Sequence, residues 1–295
     1  MAVSRAGFKI VVVIPRRVLF ALATSDRFER AVRAAPGGEA LAYRYASRYV
    51  AGRTIADALD TAHRLADQGV LSSIDYFGEN VFDPGEADRV TDEYLALAGR
   101  IATEAPPGTY LSLDLSHLAL DQRRLARIAA ALPAGARLQV GAEQAARTDR
   151  ILDAVLDVAR AGGGVSATVQ ANLRRSPADA HRLAEAGVPI RLVKGAYVEE
   201  GAFAWGDETD IAFTELAYSL HRSGAELSLA THDPVLREAL LPALPGVGVE
   251  MLLGVRTYDL QSLVERRIPV RLYVPFGEGW FRYWMRRVAE SRGAR

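Results

Sequence analysis

The sequence predicts an α/β chain folded as a (β/α)8 barrel of the TIM type, preceded by a helical segment. Three observations predict it. After Gly69, short apolar runs alternate with longer amphipathic ones about eight times, and eight is the count at which a parallel sheet closes on itself. The length, 295 residues, accommodates a barrel of roughly 250 residues with an extension, although two average domains also fit. The rival open, doubly wound sheet usually carries a glycine fingerprint between an early strand and its helix, whereas Gly162-Gly163-Gly164 precedes a strand, as a helix stop and loop would. The expected division is a helical segment over residues 1–69 packing on a barrel over residues 70–295.

In chain order, residues 16–33, 39–50 and 54–68 read as helices. Pro36-Gly37-Gly38 ends the first, Thr54 with Asp57 three residues on is an N-cap pattern, and Gly69 is a C-terminal stop. Strands are expected at 71–77, 110–115, 137–140, 165–170, 190–194, 227–230, 247–252 and 270–274. The helices between and after them are expected at 86–103, 121–132, 145–161, 177–186, 208–223, 234–240, 258–266 and 280–291.

Composition excludes several classes. Lys plus Arg and Asp plus Glu each total 36, so no global field attracts nucleic acid, and no nucleic-acid partner is expected. The absence of cysteine removes disulfides, thiolate nucleophiles and thiolate metal sites, and favours a cytoplasmic location. The apolar run from residue 10 to 14 is cut by Pro15-Arg16-Arg17, far short of a membrane span. The basic residues Arg5, Lys9, Arg16 and Arg17 around it allow at most a peripheral contact with the inner face of a membrane. No HExxH is present and the five histidines lack ligand spacing, so no metal site is expected; no GxSxG elbow marks a serine hydrolase.

In a barrel of this kind functional residues gather at the carboxyl ends of the strands. Polar residues do gather there: Asp75, Glu79, Asp114, Gln170, Arg191, Lys194, Tyr197, the run Thr231-His232-Asp233, Glu250 and Tyr273. Strand alternation sends Arg191 and Val193 one way and Leu192 and Lys194 the other, so a cation points into the barrel or its mouth and needs an anionic or polar partner. A buried structural ion pair is the plainer reading of the same pattern. Gly195 and Ala196 are small, as where a flat ligand approaches the backbone. Thr231-His232-Asp233-Pro234 also reads simply as a helix start, with Asp233 as N-cap. On the last helix Tyr283, Arg286, Arg287 and Glu290 share roughly one face. Two guanidiniums there suit a carboxylate, and Glu290, one turn beyond Arg286, can hold its fork still. A solvated surface helix with one ion pair fits that spacing equally well.

Taken together, RLVKGAY at 191–197, THD at 231–233, EMLLG at 250–254 and RLYVPFG at 271–277 followed by YxxRRxxE at 283–290 resemble the motifs of the proline dehydrogenase family, monofunctional bacterial type; DYFGE at 75–79 and VQANLRR at 169–175 resemble its earlier motifs. The resemblance implies an FAD-dependent barrel that oxidises the C–N bond of L-proline to Δ1-pyrroline-5-carboxylate by hydride transfer to flavin N5, with a quinone or another acceptor taking the electrons. It implies that Arg286 and Arg287 bind the carboxylate of a small amino-acid-like substrate, that Glu290 braces Arg286, and that Tyr273 and Tyr283 wall the ring. It places Arg191 by flavin N5 and Gln170, Lys194, Gly195, Ala196, Tyr197, Thr231, His232, Glu250 and Leu252 around the cofactor.

Two positions depart from the family pattern. Asp114 stands where the family has a lysine, and Gly141 where it has an aspartate, lowering the pocket charge by about one unit, because the first change subtracts two and the second adds one. Asp114 is expected in the substrate pocket. A different small amino, imino or hydrazono acid is therefore the alternative substrate class. A barrel that has lost flavin and serves as a scaffold is the alternative from outside enzymology.

Overall fold

The structure is a computed structural model that describes Leu22 and residues 25–78, 80–195 and 199–291, without the side chains of Ala289, Glu290 and Ser291. The basic and apolar residues read as a membrane-surface contact, Glu79, Ala196 and Tyr197 lie outside the described residues. The chain forms two compact units: residues 48–278, and residues 1–47 together with 279–295.

The larger unit is the expected closed barrel. Its strands are β1 (Leu71–Tyr76), β2 (Tyr110–Leu113), β3 (Leu138–Val140), β4 (Val165–Gln170), β5 (Ile190–Val193), β6 (Leu227–Ala230), β7 (Gly248–Leu252) and β8 (Val270–Phe276). All neighbours pair in parallel, and β1 closes on β8 with Ser73 opposite Tyr273 and Asp75 opposite Pro275. The outward positions Leu111, Leu113, Val140, Leu192, Leu229, Met251 and Val274 are apolar and buried, forming the layer against the helices. The inward positions include Gln139, Thr168, Arg191, Ser228 and Glu250, so the inside of this barrel is polar rather than a purely apolar packed core. At the amino-terminal end Arg271 closes it: its Nη1 donates to the carbonyls of Ser72 (2.7 Å) and Gly108 (2.8 Å), and its guanidinium lies 3.4 Å from the Tyr110 ring centroid.

The boundary read from sequence at residue 69 differs from this division. The helix Ile55–Ala66 belongs to the barrel unit because its apolar stripe, Ala58, Leu59, Ala62 and Leu65, is buried and the helix packs on β1 and β8. Its start is a full capping box: Thr54 Oγ1 accepts from Asp57 N (3.2 Å), and Asp57 Oδ2 accepts from Thr54 N (2.9 Å). The second expected strand is also shorter than read. The chain leaves the sheet at Asp114 and enters a 3-10 turn, Leu115–Leu118, which brings His117 inside.

The smaller unit contains α1 (Asp26–Ala34), α2 (Gly38–Ala46) and the last helix (Trp280–Ser291). Aromatic edges hold it. Trp280 meets Tyr43 edge-on at 5.1 Å with the Arg33 guanidinium over its ring, and Phe281 meets Phe28 at 5.9 Å. Arg282 bonds Asp26 and Glu29 on α1. Thr54→Ala should cost about 1 kcal/mol, seen as a lower urea midpoint with an unchanged slope, since it leaves the Asp57 amide without its acceptor.

Candidate active site

Arg191 lies on β5 and points inward, as alternation requires. Its Nε donates to Thr168 Oγ1 on β4 (3.0 Å) and its Nη1 to Gln139 Oε1 on β3 (3.0 Å). Gln139 in turn donates through Nε2 to both oxygens of Glu250 on β7 (3.0 and 2.9 Å), and Ser228 on β6 donates to Glu250 Oε1 (2.7 Å). Arg191 Nη1 is 3.8 Å from Glu250 Oε2, an ion pair at long range. Glutamine here is a spacer. It passes the carboxylate's influence to the guanidinium, and among the described residues Arg191 uses only two of its five N–H donors, so the cation is fixed with donors left for an acceptor.

A second network occupies the β1 and β2 side. Asp75 is buried; its Oδ2 accepts from Tyr273 on β8 (2.9 Å) and its Oδ1 from Tyr94 (3.0 Å), on the helix Pro84–Glu104. The Tyr94 hydroxyl also contacts Tyr76 O (3.0 Å) and His117 Nδ1 (3.1 Å), and the His117 ring stacks on Tyr76. Burial, with help from the neighbouring Asp114 charge, pushes the Asp75 carboxyl up to about 8. Burial pushes the His117 imidazole down to about 4. The turn that carries His117 is followed by Ala119 and Leu120, both at φ 56°, a left-handed pair that costs roughly 1–2 kcal/mol per residue.

Asp114 begins that turn one step beyond the last register pair of β2 with β3, Leu113 opposite Val140, which brings it across from Gly141. A Cβ on Gly141 would lie 1.8 Å from Asp114 Oδ1. The two positions expected to depart from the family motifs thus meet in space: the Asp114 carboxylate occupies the room that a side chain at 141 would need.

The remaining expected residues divide. Gln170 is buried and donates to the Glu143 carbonyl (2.8 Å). Lys194 faces away from Arg191, and its ammonium is held by Asp210 (2.6 Å) and Asp233 (2.8 Å). Asp233 is the N-cap of the helix Pro234–Leu240, so the helix-start reading of that run holds, and it ties the helix to β5 as well. His232 Nε2 accepts from Leu252 N (3.1 Å), which leaves the proton of the neutral ring on Nδ1. Thr231 Oγ1 accepts from Asp233 N (3.1 Å). Gly195, at φ 109°, has a reason for its size within the protein itself: a Cβ there would meet Asn172 Oδ1 at 2.0 Å. In the last helix Arg286 and Arg287 are half-buried, and the Arg287 guanidinium lies 5.0 Å from the Tyr283 ring centroid, one turn back. The Glu290 side chain lies outside the described residues.

Sequence reasoning missed Gln139, Thr168, Ser228, Tyr94 and His117. Strand alternation in step with Arg191 was a signal for Gln139 and Thr168; nothing in the sequence singles out Tyr94 among the helix residues that pack on the sheet. Among the described residues no group of three or more His, Cys, Asp or Glu could hold a metal, and no helix is long and apolar enough to cross a membrane.

The two shifted groups act oppositely on stability. The folded state holds the extra Asp75 proton from about pH 4 to 8, so raising the pH there destabilises it; it lacks the His117 proton from about 4 to 6.5, so raising the pH there stabilises it. The slopes cancel up to pH 6.5, and Asp75 acts alone above. Urea midpoints should therefore fall between pH 6.5 and 8, with a slope of at most about 1.4 kcal/mol per pH unit, and stay flat in Asp75→Asn.

The chain resembles known proteins in both sequence and fold. The chain is 32% identical over 262 residues to proline dehydrogenase 1 of Bacillus subtilis (strain 168), covering 83% of this chain and 86% of that one. It is 27% identical over 269 residues to proline dehydrogenase of Deinococcus radiodurans, with the same coverage. Its fold matches proline utilization A (PutA) from Bdellovibrio bacteriovorus, a crystal structure inactivated by N-propargylglycine, at a TM-score of 0.79 and 19% identity, over 94% of this chain but only 36% of that longer one. The family model described as proline dehydrogenase matches residues 58–295, and the chain belongs to the proline dehydrogenase family.

Proposed function

We propose that this enzyme is an FAD-dependent dehydrogenase that oxidises the C–N bond of L-proline to Δ1-pyrroline-5-carboxylate. The observation that carries the reading is Arg191, an inward cation braced from three other strands by Thr168, Gln139 and Glu250 with donors to spare. The donor set fits an isoalloxazine, an electron-accepting ring whose reduced form is anionic. A bound flavin would supply a hydride acceptor for the carbon beside the substrate nitrogen, with a quinone or another acceptor to take the electrons on. Gln139 and Glu250 keep the Arg191 fork in one orientation, so its stabilisation costs no reorganisation during the reaction. Gln170, Gly195, Thr231, His232 and Leu252 line the cofactor in this reading, and Lys194, locked between Asp210 and Asp233, serves it by fixing the loops that follow β5 and β6. Arg286 and Arg287 supply the counter-charge for the substrate carboxylate, with Tyr283 under Arg287 and Tyr273 as a wall for the ring.

Asp114 favours a second reading with the same chemistry. A carboxylate fitted over Gly141 suits a small amino, imino or hydrazono acid with more N–H donors or positive charge than proline.

The purified protein should be yellow, and anaerobic L-proline should bleach it. Bleaching by another nitrogen-bearing acid but not by L-proline would select the second reading, and a colourless protein that takes up no FAD would end both. In the enzyme that bleaches, Arg287→Lys should raise KM by roughly ten- to a hundredfold with a smaller fall in kcat, because a fork contact worth about 1.5–3 kcal/mol becomes a point charge.

A further inference from the structure

We propose that Asp75 is the acceptor of the proton lost by the substrate nitrogen, reached through the Tyr273 hydroxyl, and that Asp114 sets how readily Asp75 gives that proton up. The inference rests on the dehydrogenase reading above and adds to it the fate of one proton. Removing a hydride from the carbon of an ammonium group requires that the nitrogen first lose a proton: the N–H bond breaks, its electron pair stays on nitrogen, and the C–H pair then leaves as hydride while the C=N bond forms.

Geometry selects Asp75. Among the described residues it has no ion-pair partner within 4.0 Å, although it is buried. The groups that act on it are Tyr273 from β8, Tyr94 from the helix behind β1, Asp114 from the start of the turn after β2 and Arg191, with His117 from that turn reaching it only through Tyr94. The Tyr94 hydroxyl has one hydrogen and two lone pairs but three partners. If Asp75 is ionised, its carboxylate and the Tyr76 carbonyl compete for that hydrogen. If Asp75 carries a proton, every contact is satisfied: Asp75 and His117 Nδ1 donate to the hydroxyl, and the hydroxyl donates to Tyr76 O. The site is built to hold one proton.

Tyr94 and His117 are sealed, whereas Tyr273 and Asp114 are partly exposed, so protons enter from their side. In the transfer the substrate nitrogen gives its proton to the Tyr273 oxygen as the Tyr273 hydrogen passes to Asp75 Oδ2. A base matched to neutral or slightly alkaline pH is what such a step needs; burial puts Asp75 there, and the like charge of Asp114 adds to the effect.

The test is stopped-flow bleaching of the anaerobic holoenzyme, between pH 6 and 9, with whichever acid bleaches it. The wild-type rate should rise about tenfold per pH unit and level off near 8. Asp114→Asn should move that inflection to lower pH, and Gly141→Ala should do the same without removing a charge, because it drives the carboxylate from its place. Asp75→Asn should flatten the profile and slow bleaching by roughly a hundredfold or more. An unmoved inflection in Asp114→Asn, or a retained rise in Asp75→Asn, overturns the proposal. Infrared spectra provide a readout independent of turnover: a protonated carboxyl stretch present at pH 7, lost above about 8 and missing in Asp75→Asn is expected. Its absence in wild type overturns the proposal even if the enzyme bleaches, while its presence in an enzyme that no acid bleaches sinks the dehydrogenase reading instead.

Discussion

A guanidinium inside a closed β-barrel has to be balanced by groups from other strands, and the inside of this barrel is arranged around that requirement. Arg191 brings the charge, Glu250 the countercharge, and Gln139 stands between them with its amide oriented by both. Thr168 and Ser228 complete the ring of contacts. Five strands are tied by one network, and the mostly covered Arg191 charge is left less well compensated if Glu250 or Gln139 is lost. The polar interior survives because the apolar load is carried on the outward faces, where Leu113, Val140, Leu192 and Leu229 are fully covered by helices.

The two ends of the barrel solve the same problem differently. At the amino-terminal end Arg271 is neutralised by carbonyls and an aromatic face rather than by a carboxylate. At the carboxyl end charges meet charges, and their balance is adjustable: Lys194 is over-satisfied by two aspartates, while Asp75 has hydroxyls alone. Only the second kind of site can change protonation near neutrality, since a carboxylate held by two phenols gains far less from ionising than one held by an ammonium.

Much of this was legible in the sequence. The eight strands could be found because short apolar runs alternate with longer amphipathic ones, and strand alternation put Arg191 and Lys194 on opposite sides, so that one cation had to point inward; the fold shows it to be Arg191. The departure of Asp114 and Gly141 from the family motifs was also legible, whereas their meeting in space was not. The rest was hidden for physical reasons. Lys194 reads like a ligand-facing cation until Asp210 and Asp233, distant in sequence, are folded against it. Tyr94 is one aromatic among several on an amphipathic helix, and only tertiary packing aims its hydroxyl at Asp75. The shortness of β2 was invisible because Leu115 looks like a strand residue, whereas it starts the turn that buries His117.

The crowding between Gly141 and Asp114 makes the two positions a single unit under substitution. A Cβ at 141 would lie 1.8 Å from Asp114 Oδ1, so any side chain there blocks the present conformation of Asp114 and turns its carboxylate into another rotamer. Changes at the two positions are therefore not additive, and a substitution at either is read only against the residue at the other.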